Sequence, residues 1–202
     1  MPVVRLRRLG YAVCLAASLG CSAIDRKVPP VYDIRGSRVL IVPFRSGNYW
    51  HYESKDGNRL GQSIEGAMQT DCGGLQTIRN RPLQEEIRRD LSDEIPWLEY
   101  ARRAEVDYLI VGEIESLSLE EPSMIGMFQG RIRVRYEVWD VRGGKRGYTR
   151  ALEVRFPENP EAGEVYISFE QSREEITVAL MAAAGRKIAG HLCGYEQSGL
   201  PQ

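Results

Sequence analysis

The chain has 202 residues, with 27 lysines and arginines against 28 aspartates and glutamates and a formal net charge of −1 at pH 7. That balance leaves no basic excess to grip a polyanion, which argues against nucleic-acid binding. With four cysteines, two histidines and no CxxC or zinc-ligand spacing, no metal centre is expected. The length fits one domain, or one domain with a tether.

The chain opens with three arginines (Arg5, Arg7, Arg8), an apolar run from Leu9 to Leu19, and small residues before Cys21. A positive segment, a short apolar segment and a small-residue cleavage site define a secretory signal. The run is shorter than the roughly 20 apolar residues a spanning helix needs. Cys21 follows Ser18-Leu19-Gly20, which is similar to the lipidation box of bacterial lipoproteins with its leucine one place late. Ser18 and Gly20 also satisfy ordinary signal peptidase, so lipidation at Cys21, simple secretion and an uncleaved anchor all stay open, in that order of preference. By resemblance to enterobacterial lipoproteins, Ser22 favours the outer over the inner membrane. Removal of residues 1–20 leaves 24 bases against 28 acids.

Residues 21–37, with Pro29-Pro30, read as the lipidated cysteine and an extended tether. Val39 to Phe44 is a continuous apolar run stopped by proline, the pattern of a buried strand. Ser46 to Asn58 reads as a polar, aromatic loop. Leu60 to Thr70 is a helix with Leu60, Ile64, Ala67 and Met68 on one face, and Gly73-Gly74 turns into a short strand over Leu75–Ile78. A second helix starts at Arg81-Pro82, with Leu83, Ile87 and Leu91 as its apolar face, and a third covers Trp97 to Ala104. Val106 to Ile114 is a second buried strand. Arg131 to Asp140 alternates strictly, so one face is buried and one solvated. Gly143-Gly144 closes a hairpin into Tyr148–Phe156, and Glu170 to His191 is the longest helix. The expectation is an α/β (α+β) domain over 38–194, a single mixed sheet with helices packed on it, ordered β-α-β-α-α-β-β-β-α, and a flexible tail over 195–202.

Val39-Leu-Ile-Val-Pro-Phe44 resembles the "vaVlPFe" opening strand of the curli-secretion lipoprotein superfamily, which also includes penicillin-binding-protein activator lipoproteins and the TolB N-terminal domain. Leu75-Gln-Thr-Ile-Arg-Asn-Arg81 fills the place of its "v-x-R" element. Ala101-Arg-Arg-Ala-Glu-Val-Asp-Tyr-Leu-Ile-Val-Gly-Glu-Ile114 matches "a-x-x-l-g-a-D-y-l-v-x-G-x-i". Ile132 to Asp140 matches "v-x-x-r-l-v-d". The resemblance spans roughly 39–156 with a C-terminal helix, and implies an envelope lipoprotein. Curli-type pores need long amphipathic segments, whereas Glu115 to Gly130 is brief and acidic, which argues against a pore.

Candidate surfaces come from the residues themselves. Arg131, Arg133 and Arg135 share one strand face, with Arg150 and Arg155 on the hairpin partner; they read as an anion-binding patch or an ordinary solvated sheet face. Tyr49, Trp50, His51, Tyr52 and Glu53 form an aromatic loop suited to a partner, or folded back on the domain. Trp139 lies on the arginine face, exposed or covered by that loop. Met124 to Phe128 reads as an apolar tip that dips into a membrane or packs on its own domain. Cys72 and Cys193 remain after export, either as a disulfide or as two buried thiols. His191 beside Cys193 suggests a thiol site but lacks a third group, and Glu85-Glu86 and Glu174-Glu175 read as solvated helix faces.

No catalytic, cofactor or metal residues are assigned. The sequence therefore points to a non-catalytic envelope lipoprotein facing the periplasm, held to a membrane through its N-terminal lipid. It would bind another envelope protein as an accessory in assembly, transport or cell-wall synthesis. A subunit of an oligomeric curli-type channel is the alternative, followed by an envelope enzyme using His51 or the Cys72/Cys193 pair.

Overall fold

The structure, a computed structural model, describes residues 26–47, 54–78, 96–120, 129–156 and 173–197. The chain divides into two compact units, Pro29–Tyr195 and a smaller one made of its two ends. At the ends, β1 (Arg26–Val28) pairs with β8 (Tyr195–Gln197) in a two-stranded sheet.

The large unit is built on one mixed sheet. In chain order its described elements are β2 (Arg38–Ile41), β3 (Arg45–Ser46), α1 (Lys55–Asp71), β4 (Gln76–Thr77), α2 (Trp97–Arg103), β5 (Tyr108–Glu120), β6 (Gln129–Asp140), β7 (Lys145–Phe156) and α3 (Arg173–Cys193). The sheet runs β4-β2-β5-β6-β7, with β3 also beside β5. β2 is parallel to β4 and β5, while β5, β6 and β7 form an antiparallel meander. The mixed α+β architecture expected from the sequence is the one observed, and the meander strands are longer than their motifs.

The Val39–Phe44 motif and Gly112 form one steric unit. β2 ends where Pro43 removes a donor, and the chain rejoins β5 only at Arg45. Between them, the Phe44 N–H donates to the Gly57 carbonyl at 3.1 Å, and the Phe44 ring is fully buried. A Cβ on Gly112 would lie 2.4 Å from that ring and 2.5 Å from the Arg135 carbonyl. Likewise a Cβ on Gly57 would overlap the Phe44 carbonyl, at 1.7 Å. Both glycines are therefore required by close approach.

Helix α1 begins at Ser54, whose Oγ accepts the Gly57 N–H at 2.8 Å, an N-cap. Its buried residues, Leu60, Ile64 and Met68, face the sheet core with Ile176, Leu180, Ala184 and Ile188 of α3. Gly185 lets the two helices approach, since a Cβ there would meet the Ser63 backbone at 2.7 Å. Cys72 and Cys193, just beyond α1 and at the end of α3, are joined in a disulfide with a Cα–Cα distance of 5.2 Å. On the other sheet face, Tyr100, Ala101 and Ala104 of α2 and its end cover Leu40, Val42, Leu109 and Val141.

Asp107 explains the acidic residue of the Asp107-Tyr108…Gly112 motif. Its Oδ2 accepts the Arg38 N–H at 2.9 Å, its own N–H donates to the Arg38 carbonyl, and its carbonyl accepts the Val141 N–H. One residue thus ties the starts of β2 and β5 to the turn after β6.

Two boundaries differ from the sequence reading. The tether expected to run to residue 37 is docked on the domain from Val31: the Val31 and Tyr32 N–H groups donate to the His191 carbonyl, and Ile34 is buried. Proline and polar composition suggested an extended chain; in the structure Tyr32 and Ile34 anchor it, and it turns at Arg35-Gly36, where the Ser37 N–H donates to the Ile34 carbonyl. The tail expected from 195 begins with β8. The helix placed at Arg81-Pro82 lies outside the described residues.

Candidate interaction face

The sheet buries most of one face, on β6 entirely, and leaves much of the other open. On β6, Ile132, Val134, Tyr136 and Val138 are fully buried, and period-2 alternation puts Arg131, Arg133, Arg135, Glu137 and Trp139 on the opposite side. Helix α2 covers only the Trp139 end, where Trp139 packs with Leu109 and Val111 and its Nε1 donates to Glu137 at 3.0 Å.

A bulge shapes the open part. Ile114 pairs with Val134, but pairing resumes at Ser116 with Arg133, so Glu115 is the extra residue. Its carboxylate reaches both Arg133, at 3.5 Å, and Arg135, at 2.5 Å. On the other side of β6, Glu153 of β7 lies between Arg131 (3.7 Å) and Arg155 (3.2 Å). Glu137 pairs with Arg146 at 2.7 Å, and Arg45 with Glu113. Six arginines thus meet four glutamates, and the arginine patch is a mixed ion-pair ladder with a positive remainder. Exposed pairs of this kind are worth about 0–1 kcal/mol each, so the ladder contributes little to stability. β7 is the last strand of the sheet order, twelve residues long and paired only on its β6 side among the described residues.

Arg150, by contrast, does not belong to this face. β7 pairs it with Tyr136, and its guanidinium donates to the Tyr148 hydroxyl at 3.3 Å. There it borders an aromatic cluster in which Tyr32 stacks on Tyr148 and meets Tyr108 edge-on. The Tyr136 hydroxyl lies 3.0 Å from His191 Nδ1. Burial raises the Tyr136 phenol well above its ordinary range. Burial, then the nearby Arg150 and Lys187 charges, lower the His191 pKa. His191 therefore serves as a neutral partner of a tyrosine, and Cys193 is committed to the disulfide. The thiol site weighed from His191 and Cys193 is not formed.

Glu174 is an exposed helix-face residue, as expected, but it bridges Arg59 and Lys55 of α1; their hydrogen bonds, that of Arg59 foremost, hold its carboxyl down to about 2. Cys21, the loop residues Tyr49, Trp50, His51, Tyr52 and Glu53, the Met124–Phe128 segment and Glu85-Glu86 lie outside the described residues. Among the described residues no helix is long and apolar enough to cross a membrane, and no group of His, Cys, Asp or Glu is arranged to hold a metal. Sequence reading missed the glutamates that interleave the arginines. Glu113, Glu115, Glu137 and Glu153 were visible as charges, but only the register and the bulge bring them beside particular arginines.

Fold and face together define an α+β domain with two helices on one side of a mixed sheet and a partly open, ion-paired face on the other. The same architecture occurs in a solved structure of a PelC dodecamer from Paraburkholderia phytofirmans, 13% identical, with a TM-score of 0.50 over 84% of this chain and 97% of that one. Further similar structures are lipoprotein GNA1162 from Neisseria meningitidis (15% identity, TM-score 0.43, 76% of this chain and 99% of that one) and the LpoB C-terminal domain from Salmonella enterica (14%, 0.38, 59% and 83%). Comparison with protein families and with curated proteins finds no match. At 13% identity the likeness to the PelC structure is one of fold.

Proposed function

We propose that this chain is an exported, non-catalytic envelope protein, anchored to a membrane by acylation of Cys21, that binds another envelope component through the open face of β5, β6 and β7. The observation that carries the reading is the conjunction of a secretory signal ending at a cysteine with this fold. The Cys72–Cys193 disulfide supports an oxidising compartment. The open face offers a partner arginine and glutamate side chains that are already desolvated in part by one another, and the aromatic sequence Tyr49–Glu53 is proposed as a further contact on composition alone. Such surfaces contribute specificity and association rate more than raw affinity. Because the chain is docked from Val31, the free reach between lipid and domain is shorter than 21–37 suggests.

In-cell crosslinking followed by mass spectrometry tests this. Crosslinks from residues 131–155 or 45–58 to one envelope protein are expected, and they should fall when Arg133 and Arg135 are changed to glutamate. A partner crosslinked reproducibly through other surfaces alone would overturn the interface.

A second reading, a subunit of an oligomeric channel, is favoured by one observation: the solved PelC structure of shared fold is a dodecamer. Detergent-extracted protein running as a large ring supports it, and a monomer counts against it.

A further inference from the structure

Away from the open face, the starts of β2 and β5, the end of α2 and the turn between β6 and β7 enclose an open pocket of about 540 Å³, lined by Arg38, Arg102, Glu105, Val106, Asp107, Val141 and Arg142. That volume falls within the range of roughly 300–1,000 Å³ typical of small-molecule sites. Its floor is apolar, since Val106 and Val141 are buried. Its walls carry three guanidinium groups and two carboxylates.

These charges are not equivalent. Asp107 is fully engaged: Oδ2 accepts the Arg38 N–H, and Oδ1 holds Arg142 at 2.9 Å. Arg142 is thereby oriented at the pocket while its side chain stays 85% exposed. Arg102 lies over Gly144 of the turn and has no carboxylate partner among the described residues. Glu105 is the opposite case. Among the described residues it meets only Arg38, at 3.7 Å, and its side chain is 81% exposed.

The backbone of Glu105 adds a second, independent observation. Helix α2 ends with the Glu105 N–H on the Arg102 carbonyl and the Val106 N–H on the Ala101 carbonyl, a terminating motif whose left-handed residue is usually glycine. Here it is Glu105, at φ 53°, the one non-glycine residue with positive φ among those described. A side chain in that conformation is strained. The carboxylate it carries returns little as an ion pair, because exposed pairs at such distances are weak. What glutamate supplies and glycine does not is a negative group at the mouth of a pocket that also holds Arg102, a guanidinium with no carboxylate partner among the described residues.

We infer that this pocket binds a small zwitterion, its phosphate or carboxylate taken by Arg102 and Arg142 and its ammonium group by Glu105. Guanidinium forks suit either oxyanion, and two acids on the rim disfavour a bare anion. A free amino acid or peptide end and a phosphoethanolamine group share this chemistry.

The test is calorimetric titration of the full mature protein in detergent with four probes: O-phosphorylethanolamine, dialanine, inorganic phosphate and ethanolamine. One of the two zwitterions should bind at least about tenfold more tightly than phosphate or ethanolamine, in line with one added charge-assisted contact. Which zwitterion binds separates a headgroup source from a peptide source. Arg102→Gln should weaken that binding about tenfold without moving the melting temperature. Glu105→Gly should abolish the preference for zwitterion over phosphate and yet raise the melting temperature, because it relieves the strained backbone. No binding by any probe, or inorganic phosphate binding as well as both zwitterions, overturns the inference. A Glu105→Gly protein that melts lower than the parent overturns the role given to Glu105.

Discussion

Removing the Cys72–Cys193 bond should be the most damaging small change to the domain. The bridge closes a loop of 121 residues and ties the C-terminal ends of α1 and α3, the two helices that cover the buried face of the sheet. Loop-closure entropy for that length corresponds to about 5 kcal/mol at 25 °C, and native disulfides of this kind return about 2–5 kcal/mol in practice. Taking about 3–5 kcal/mol, and roughly 2–4 °C of melting temperature per kcal/mol for a domain of this size, Cys72→Ala/Cys193→Ala should melt about 10–15 °C below the parent. Each single variant should lose nearly as much as the pair, because both break the same bond. Differential scanning calorimetry of the four proteins, each with Cys21 intact, measures this directly. Since both cysteines are buried, mild reductant should leave the folded parent unchanged until it opens. A double variant within about 2 °C of the parent would refute the reasoning.

Further outcomes are specific to single sites. Gly112→Ala should cost about 2–3 kcal/mol of unfolding free energy in urea, because the new methyl group collides with the Phe44 ring and the Arg135 carbonyl. Adding Phe44→Leu should recover only part of the loss, and full stability of Gly112→Ala would contradict the steric account. Ser54→Ala removes the cap on α1 and should cost about 1 kcal/mol; an unchanged urea midpoint counts against it. His191 has a folded pKa below its unfolded value, so the unfolded chain takes up the proton first and stability is lost as pH falls from the unfolded pKa of roughly 6.5 towards the lower folded one. The melting temperature of His191→Asn should therefore fall less between pH 7.5 and pH 5.5 than that of the parent, and parallel pH profiles would remove His191 from the account.

Much of the fold is legible in the sequence, for identifiable reasons. β2 and the first half of β5 announce themselves as continuous apolar runs because there the sheet is covered on both sides. β6 shows strict alternation because only one of its faces is fully buried. Helices α1 and α3 carry their apolar residues at helical spacing because they lie on the sheet. What stays hidden depends on long-range pairing. The bulge at Glu115 has no local signature, yet it sets which carboxylate reaches Arg133 and Arg135. The docking of Tyr32 and Ile34 depends on the end of α3, some 160 residues away in the chain, and a proline-bearing polar segment gives no sign of it. The left-handed Glu105 is equally silent, because its position would ordinarily be read from a glycine. Composition left the two cysteines as a bridge or as thiols; the packing of α1 against α3 brings them to bonding distance.

Export and lipid anchorage are the claims on which the functional reading stands, and the intact mass of the mature protein purified from envelope membranes tests them most directly. A chain beginning at Cys21 and carrying the mass of a thioether-linked diacylglyceryl group, with or without a further acyl chain on its amino group, is the expected result. A mature chain starting at an unmodified Cys21, or one still bearing Met1 and Arg5–Arg8, would contradict it.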